Sequence, residues 1–236
     1  MPNNVKSTTF PSPLDLLAPH SCRGCGLIGS ALCERCKKYI LSTRQNLCPI
    51  CKQPNPTGTC TNCQQDSSIE PLPPTFTIGE RSELLGAIIH DYKYHSIRTL
   101  ALPLAELINE ALPPSDNDTC IVPLPTIPRH IRARGLDHTF LVAKYLTKLR
   151  PNYHLITLLS RTNNAVQVGA SAHTRIVQAN SAYQLNPKVT IDPTITYILL
   201  DDVWTTGASL RSATKKLKQA GVQNINLAIL SLSRID

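Results

Sequence analysis

Two groups of side chains in this sequence can do chemistry, and residue type and spacing mark both. The first is the run YILLDDVWTTGASL at 197–210. Apolar residues lead into two adjacent carboxylates, Asp201 and Asp202, and then into Thr205, Thr206, Gly207, Ala208 and Ser209. Two acceptor-only carboxylates cannot both be buried unpaired at neutral pH. They can hold the vicinal hydroxyls of a sugar, directly or around Mg²⁺. Small and hydroxyl-bearing residues just ahead of a helix turn several backbone N–H groups toward one anion, and Gly207 permits close approach. A phosphate cradle a few residues beyond a hydroxyl-binding acid pair describes a sugar phosphate. The plainer reading is solvated acids beside a Ser/Thr helix cap. Each half of that is common alone, but the combination directly after a buried strand is rare.

The second group is eight of the nine cysteines, paired as Cys22/Cys25, Cys33/Cys36, Cys48/Cys51 and Cys60/Cys63, with Cys120 standing apart. Each C-x₂-C makes a tight knuckle, and two knuckles complete a tetrahedral S₄ site for zinc. Eight thiols suit two Zn²⁺ ions. Sequential pairing, first knuckle with second and third with fourth, is favoured, and a crossed pairing stays open. Four protein ligands leave no vacant position, so these sites are structural. With so little apolar sequence around them, metal is needed for folding. The module carries Arg23, Arg35, Lys37, Lys38, Arg44 and Lys52 against Glu34 and Asp66. That surplus suits a nucleic-acid or protein partner. Tyr39 is the only aromatic residue between 20 and 66, which weakens a base-stacking role.

These groups need elements to position them. The chain has 236 residues and is 42% hydrophobic, room for one α/β domain with an appendage. The organisation expected is a lead-in at 1–19, a cysteine-rich double zinc ribbon at 20–66, a Pro/Ser linker at 67–74 and an α/β domain at 75–236. Strands are expected at 75–78, 120–122, 155–159, 195–200 and 225–232. Helices are expected around 84–89, 98–111, 136–149 and 209–220, the last closed by Gly221. Alternation of this kind implies a mainly parallel sheet flanked by helices. The acid pair then falls at a strand's C-terminal end, where ligands of open α/β sheets sit. The polar stretch 161–182 reads as a mobile loop with a short helix at 173–180. His90, His95 and His173 have no identifiable partner and read as solvated or core histidines. A net charge of +8 and a pI near 9.1 favour anionic partners or simple solubility. No apolar run spans a bilayer and no secretory leader is evident, so the cytoplasm is the expected compartment.

The order of motifs resembles the ComF family (competence protein F). It runs from the cysteine pairs through HDYKYHS at 90–96, VPLP at 122–125, PRHIRARGLDH at 128–138 and RTNNAVQVGASAHTRIVQAN at 161–180 to the acid pair. The acid-pair segment itself resembles the PRPP-binding motif of type I phosphoribosyltransferases. The resemblance implies the type I phosphoribosyltransferase fold. Asp201 and Asp202 would act on the ribose 2′ and 3′ hydroxyls, and Thr205 to Ser209 would hold the 5-phosphate. Leu124 and Pro125 would form a pyrophosphate loop, with Lys93, Arg132 and Arg134 as phosphate contacts. Arg161, Gln167, Arg175 and Asn180 would belong to a flexible loop that closes over the site. Mg²⁺ would accompany PRPP.

Two departures stand out. Gly135-Leu136-Asp137-His138 replaces the family's Gly-Phe-Asn-Gln, putting a chargeable ring where an amide is usual. Trp204 stands where a smaller aliphatic residue is usual, either walling the pocket or packing on a base. The family implies a role in DNA uptake by natural transformation, with single-stranded DNA and DNA-uptake or helicase proteins as partners. A catalytic phosphoribosyltransferase, a non-catalytic nucleic-acid or protein adaptor and a PRPP-sensing regulator are all compatible with it.

Overall fold

The computed structural model describes residues 20–55, 58–67, 71–161 and 182–233. Its centre is a five-stranded, wholly parallel sheet. The strands are β1 (Thr75–Thr77), β2 (Thr119–Pro123), β3 (Tyr153–Leu155), β6 (Thr196–Trp204) and β7 (Asn224–Leu232), in the order β1-β7-β6-β2-β3. A separate antiparallel ribbon pairs β4 (Leu159–Arg161) with β5 (Tyr183–Leu185). The helices are α1 (Glu34–Ser42) and α2 (Thr61–Gln65) among the cysteines, then α3 (Glu83–Tyr94), α4 (Ala101–Ala111), α5 (Pro128–Arg134), α6 (His138–Leu149) and α7 (Ala208–Gln219). The expected class, a mainly parallel sheet with flanking helices behind an N-terminal cysteine module, is the one the chain adopts.

The sheet is covered on both faces, so its strands are apolar on both. Ile121, Ile198, Leu200, Ala228 and Leu230 point into one core, with Leu85, Ile88 and Leu104. Their strand neighbours Val122, Tyr197, Leu199, Leu227 and Ile229 point into the other, with Leu210, Ala213 and Leu217 of α7. This alternation is the period-two geometry of a strand acting on a run without polar residues.

The cysteine module joins these cores rather than standing apart. Cys22, Ala31, Leu32, Cys36 and Ile40 belong to the first core, and Leu47 to the second. Polar ties reinforce the contact: Arg23 Nε lies 2.6 Å from Asp91 Oδ2, and Lys37 binds Glu106.

Several elements differ from the sequence reading. The strand expected at 155–159 is two short strands, β3 and β4, in different sheets. The strand ending at Leu200 continues through the acid pair to Trp204, because β7 pairs with it that far. The helix expected over 136–149 forms as α6, and an unexpected short helix, α5, precedes it. Pro128 at its first turn starts the short α5, Gly135 in the left-handed region (φ 65°) ends it, and Asp137 caps a fresh start as α6. The expected helix at 173–180 lies outside the described residues.

Candidate phosphoribosyl site and metal clusters

Topology fixes where the site must be. From β2 the chain moves outward to β3, and from β6 it moves the other way, to β7. Neighbouring strands β2 and β6 therefore send their connections in opposite directions, leaving a crevice at their C-terminal ends. Asp201 and Asp202 lie on β6 at that edge. The turn after β2 lies beside them, since Leu124 N–H donates to Leu200 O at 2.9 Å. The acid pair and the Pro123-Leu124-Pro125 turn, 76 or more residues apart in sequence, are thus brought together.

The two acids differ. Asp202 is paired: Lys93 Nζ of α3 lies 2.7 Å from its Oδ2, with both side chains mostly buried. Asp201 accepts the Asp202 backbone N–H at 2.8 Å. Burial first, and then the adjacent Asp202 charge, push the Asp201 carboxyl well above the ordinary carboxylate range, against the opposing pull of Lys93 and Arg161. A carboxyl held in this way lacks countercharge. It fits a sugar hydroxyl, which donates to it, or a divalent cation such as Mg²⁺, which would neutralise it.

The turn after β6 makes the anion cradle. Thr205, Thr206, Ala208 and Ser209 are exposed, while Gly207 is buried in the left-handed region (φ 75°). A Cβ on Gly207 would lie 2.2 Å from Trp204 Cζ2, so only glycine fits. Trp204 is 2% exposed. It is one of the residues lining the small cavity at this turn, packed directly beneath Gly207, with the Arg211 guanidinium 5.7 Å from its ring centroid.

The expected basic residues gather on the same side. The His130 ring on α5 is held below the usual histidine range by burial and then by Arg134, Arg129, Arg161 and Lys93. Cations from α3, α5 and β4 thus converge there. The Arg134 guanidinium lies 4.9 Å from the Tyr94 ring centroid. Arg132 lies on the same helix, α5. Arg161 Nη1 donates to Tyr183 Oη at 3.3 Å, and the Tyr183 hydroxyl stands near Ser209 of the cradle. Tyr183 is the residue that the sequence reading missed. Its signal was slight: one aromatic following a long polar stretch. Gln167, Arg175 and Asn180 lie outside the described residues.

His138 corrects an expectation. The ring expected to be chargeable is 1% exposed, packed edge-on against Tyr92, and held below the usual histidine range chiefly by burial. It is a core ring whose burial disfavours the charged form. Asp137 beside it keeps an acceptor role, capping α6 through Phe140 N–H at 3.2 Å and accepting from Thr126 Oγ1 at 3.1 Å.

The cysteines form two separate quartets, Cys22, Cys25, Cys33, Cys36 and Cys48, Cys51, Cys60, Cys63, with the sulfurs of each within 4.8 Å of one another. The pairing is sequential. Cys25 and Cys33 Sγ lie 3.6 Å apart, as do those of Cys51 and Cys60. That is near the edge of about 3.8 Å that a tetrahedron with Zn–S bonds of about 2.3 Å requires, and far beyond a disulfide. Burial would raise the Cys22 thiol, but the backbone N–H groups of Cys33, Cys25 and Gly24 outweigh it and hold it down at about 6. Burial and neighbouring sulfurs push Cys36 up to about 12. Four thiolates so close need a cation, and the quartets fit structural zinc. Gly24 is obligatory here, because a Cβ would lie 2.7 Å from Cys36 Sγ.

Among the described residues no helix is long and apolar enough to cross a membrane. No protein-family model matches the chain. A hypoxanthine phosphoribosyltransferase structure from Staphylococcus aureus is 12% identical, covering 58% of this chain and 62% of that one with a TM-score of 0.32, a likeness too slight to carry weight. Competence protein ComFC of Bacillus subtilis is 23% identical over 80% of this chain and 79% of its own. Competence protein F of Haemophilus influenzae is 26% identical over 87% of this chain and 93% of its own. Quartets in sequential pairing, a parallel sheet behind them and these two relatives agree with the order of the motifs: the chain is similar to the ComF competence proteins.

Proposed function

We propose that the chain binds a 5-phosphoribosyl ligand, PRPP with Mg²⁺, at the C-terminal edge of the sheet. The observation that carries this reading is the Asp201–Asp202 pair and the Gly207 turn on one strand end, at the switch point between β2 and β6. The acids take the ribose hydroxyls and Thr205 to Ser209 the 5-phosphate. Leu124, Pro125, Lys93, Arg132 and Arg134 surround the diphosphate. Arg161 contributes a further cation at this edge, and the flexible-loop roles expected for Gln167, Arg175 and Asn180 fall outside the described residues. When bound, Mg²⁺ supplies neutralisation of the diphosphate oxygens. The chain's own share of any turnover is to position C1 of the ribose and to meet developing charge with fixed dipoles and cations while pyrophosphate departs.

The relatives' names extend the reading to competence. We place the chain in DNA uptake, with imported single-stranded DNA and DNA-uptake or helicase proteins as partners. A second reading, a non-catalytic adaptor, draws on the cations converging from α3, α5 and β4. It predicts salt-dependent single-stranded DNA binding that survives loss of the acid pair.

Calorimetry with PRPP and Mg²⁺ tests the first reading, wild type against Asp201→Asn/Asp202→Asn. Binding in the wild type that disappears in the variant supports it. Absence of wild-type binding at millimolar PRPP sinks it in favour of the adaptor.

A further inference from the structure

Outside the cysteine quartets and the strand-end site, the described residues hold one more cluster of ligand-type side chains, and it stands on the surface. His90, Asp91 and His95 offer two ring nitrogens and a carboxylate oxygen, all within 4.8 Å of one another. Asp91 and His90 are neighbours near the end of α3. His95 is the C-cap, where the backbone leaves the helix (φ −100°, ψ 5°). Its backbone N–H still donates to Asp91 O at 3.0 Å, so its ring lies one turn beyond Asp91 and over it. His95 Nδ1 lies 2.8 Å from Asp91 Oδ1, and His90 Nδ1 lies 3.9 Å from the same oxygen. The two imidazole centroids are 5.3 Å apart.

We infer that His90, Asp91 and His95 form a third metal site, taking a borderline divalent cation of the zinc class and leaving a coordination position open. Two imidazoles and one carboxylate are the donor set such ions prefer, and one poor in oxygen for Mg²⁺. Ligand atoms around such an ion stand roughly 3.3 Å apart, inside the spread seen here. Both rings are about half exposed, so small rotations close the difference. Asp91 is also preset. Arg23 Nε holds Oδ2 at 2.6 Å, fixing the carboxylate and leaving Oδ1 turned toward the rings, as outer-shell partners of metal ligands do. Arg23 belongs to the cysteine module, so an ion here would sit on the joint between that module and α3.

The simpler account is an i,i+4 ion pair between Asp91 and His95 with His90 as a bystander. Zinc counting separates the two. Wild type and a His90→Ala/His95→Ala variant, both with their cysteine quartets saturated, are equilibrated with buffered micromolar Zn²⁺, and bound zinc per chain is measured. The expected result is one more equivalent in the wild type than in the variant, because every other zinc-binding group is common to both. Calorimetric zinc titration of Asp91→Asn, which keeps the shape of the side chain, should show affinity lowered by more than about tenfold, the smallest loss typical of removing even an outer-shell partner. Equal zinc counts in wild type and variant, or an Asp91→Asn affinity unchanged from wild type, overturn the proposal.

Discussion

The cysteine quartets and the strand-end site solve the problem of assembling a site in opposite ways. Each quartet is local: its four ligands fall within 16 residues and two knuckles, and a cation would complete it. The strand-end site is distributed. Lys93, Leu124, Arg134, Arg161, Tyr183 and Asp202 come from six separate segments, and only the packed sheet brings them together. The first kind of site is expected to hold up the fold, and the second to depend on it. The difference teaches that metal removal and site mutation should fail in different currencies, stability in one case and ligand binding in the other.

The largest expected effect follows from the quartets. Chelation should cost several kcal/mol and lower Tm by more than about 10 °C. Within the module the two quartets should differ. Cys36→Ser should lower Tm more than Cys63→Ser, since Cys22, Cys33 and Cys36 share the core with Leu85, Ile88 and Leu104. Thermal melts of the two variants check this. An equal or larger loss in Cys63→Ser would break the picture of the first quartet as the part wedded to the sheet.

Gly207→Ala comes next and tests whether the distributed site depends on one local constraint. A Cβ 2.2 Å from the Trp204 ring forces the turn off its floor, and the left-handed φ of 75° strains any side chain. Overpacking and backbone strain together should cost about 2–4 kcal/mol by denaturant unfolding. Phosphoribosyl binding should fall with it. On a Trp204→Leu background the added cost of Gly207→Ala should shrink, because the clash is gone and only the strain remains. An undiminished cost would mean that Trp204 does not set the turn.

The same contrast governs what could be read from the sequence. The quartets were legible because C-x₂-C spacing is the geometry of the knuckle, while the sequence only favoured sequential over crossed pairing and the structure decided it. The acid pair and the cradle were legible because one strand and one helix start carry them. Lys93 was picked out as a phosphate contact, but its partner, Asp202, lies 109 residues away and is revealed only by strand order. Tyr183 was invisible because its role comes from an antiparallel ribbon with β4, built from two three-residue strands too short to show a period. α5 was hidden because a seven-residue helix with no buried residue has no apolar face to reveal it. His138 was misjudged since the sequence shows that a ring is present but not how deeply it is buried.

The smallest effect sharpens the comparison most, because it has the opposite sign. Asp201 is a carboxyl whose folded-state pKa is raised, by burial and by Asp202. Such a group destabilises the fold at every pH above the value at which the unfolded chain releases its proton. The penalty is absent below the unfolded value of about 3.9, grows as pH rises through the folded value, and stays constant above it. Asp201→Asn removes that penalty. It should therefore raise stability at neutral pH by about 1–3 kcal/mol, discounted because Asp201 is coupled to Asp202 and retains some solvent access, and change it little near pH 3. Denaturant unfolding of wild type and variant across pH 3–9 measures the difference. A gain that grows with pH, accompanied by lost phosphoribosyl binding, is the signature of a site that stores instability for a ligand to relieve. A loss of stability at neutral pH would place Asp201 among groups already satisfied within the fold, and the strand-end site would then be supportive of structure in the way the cysteine quartets are.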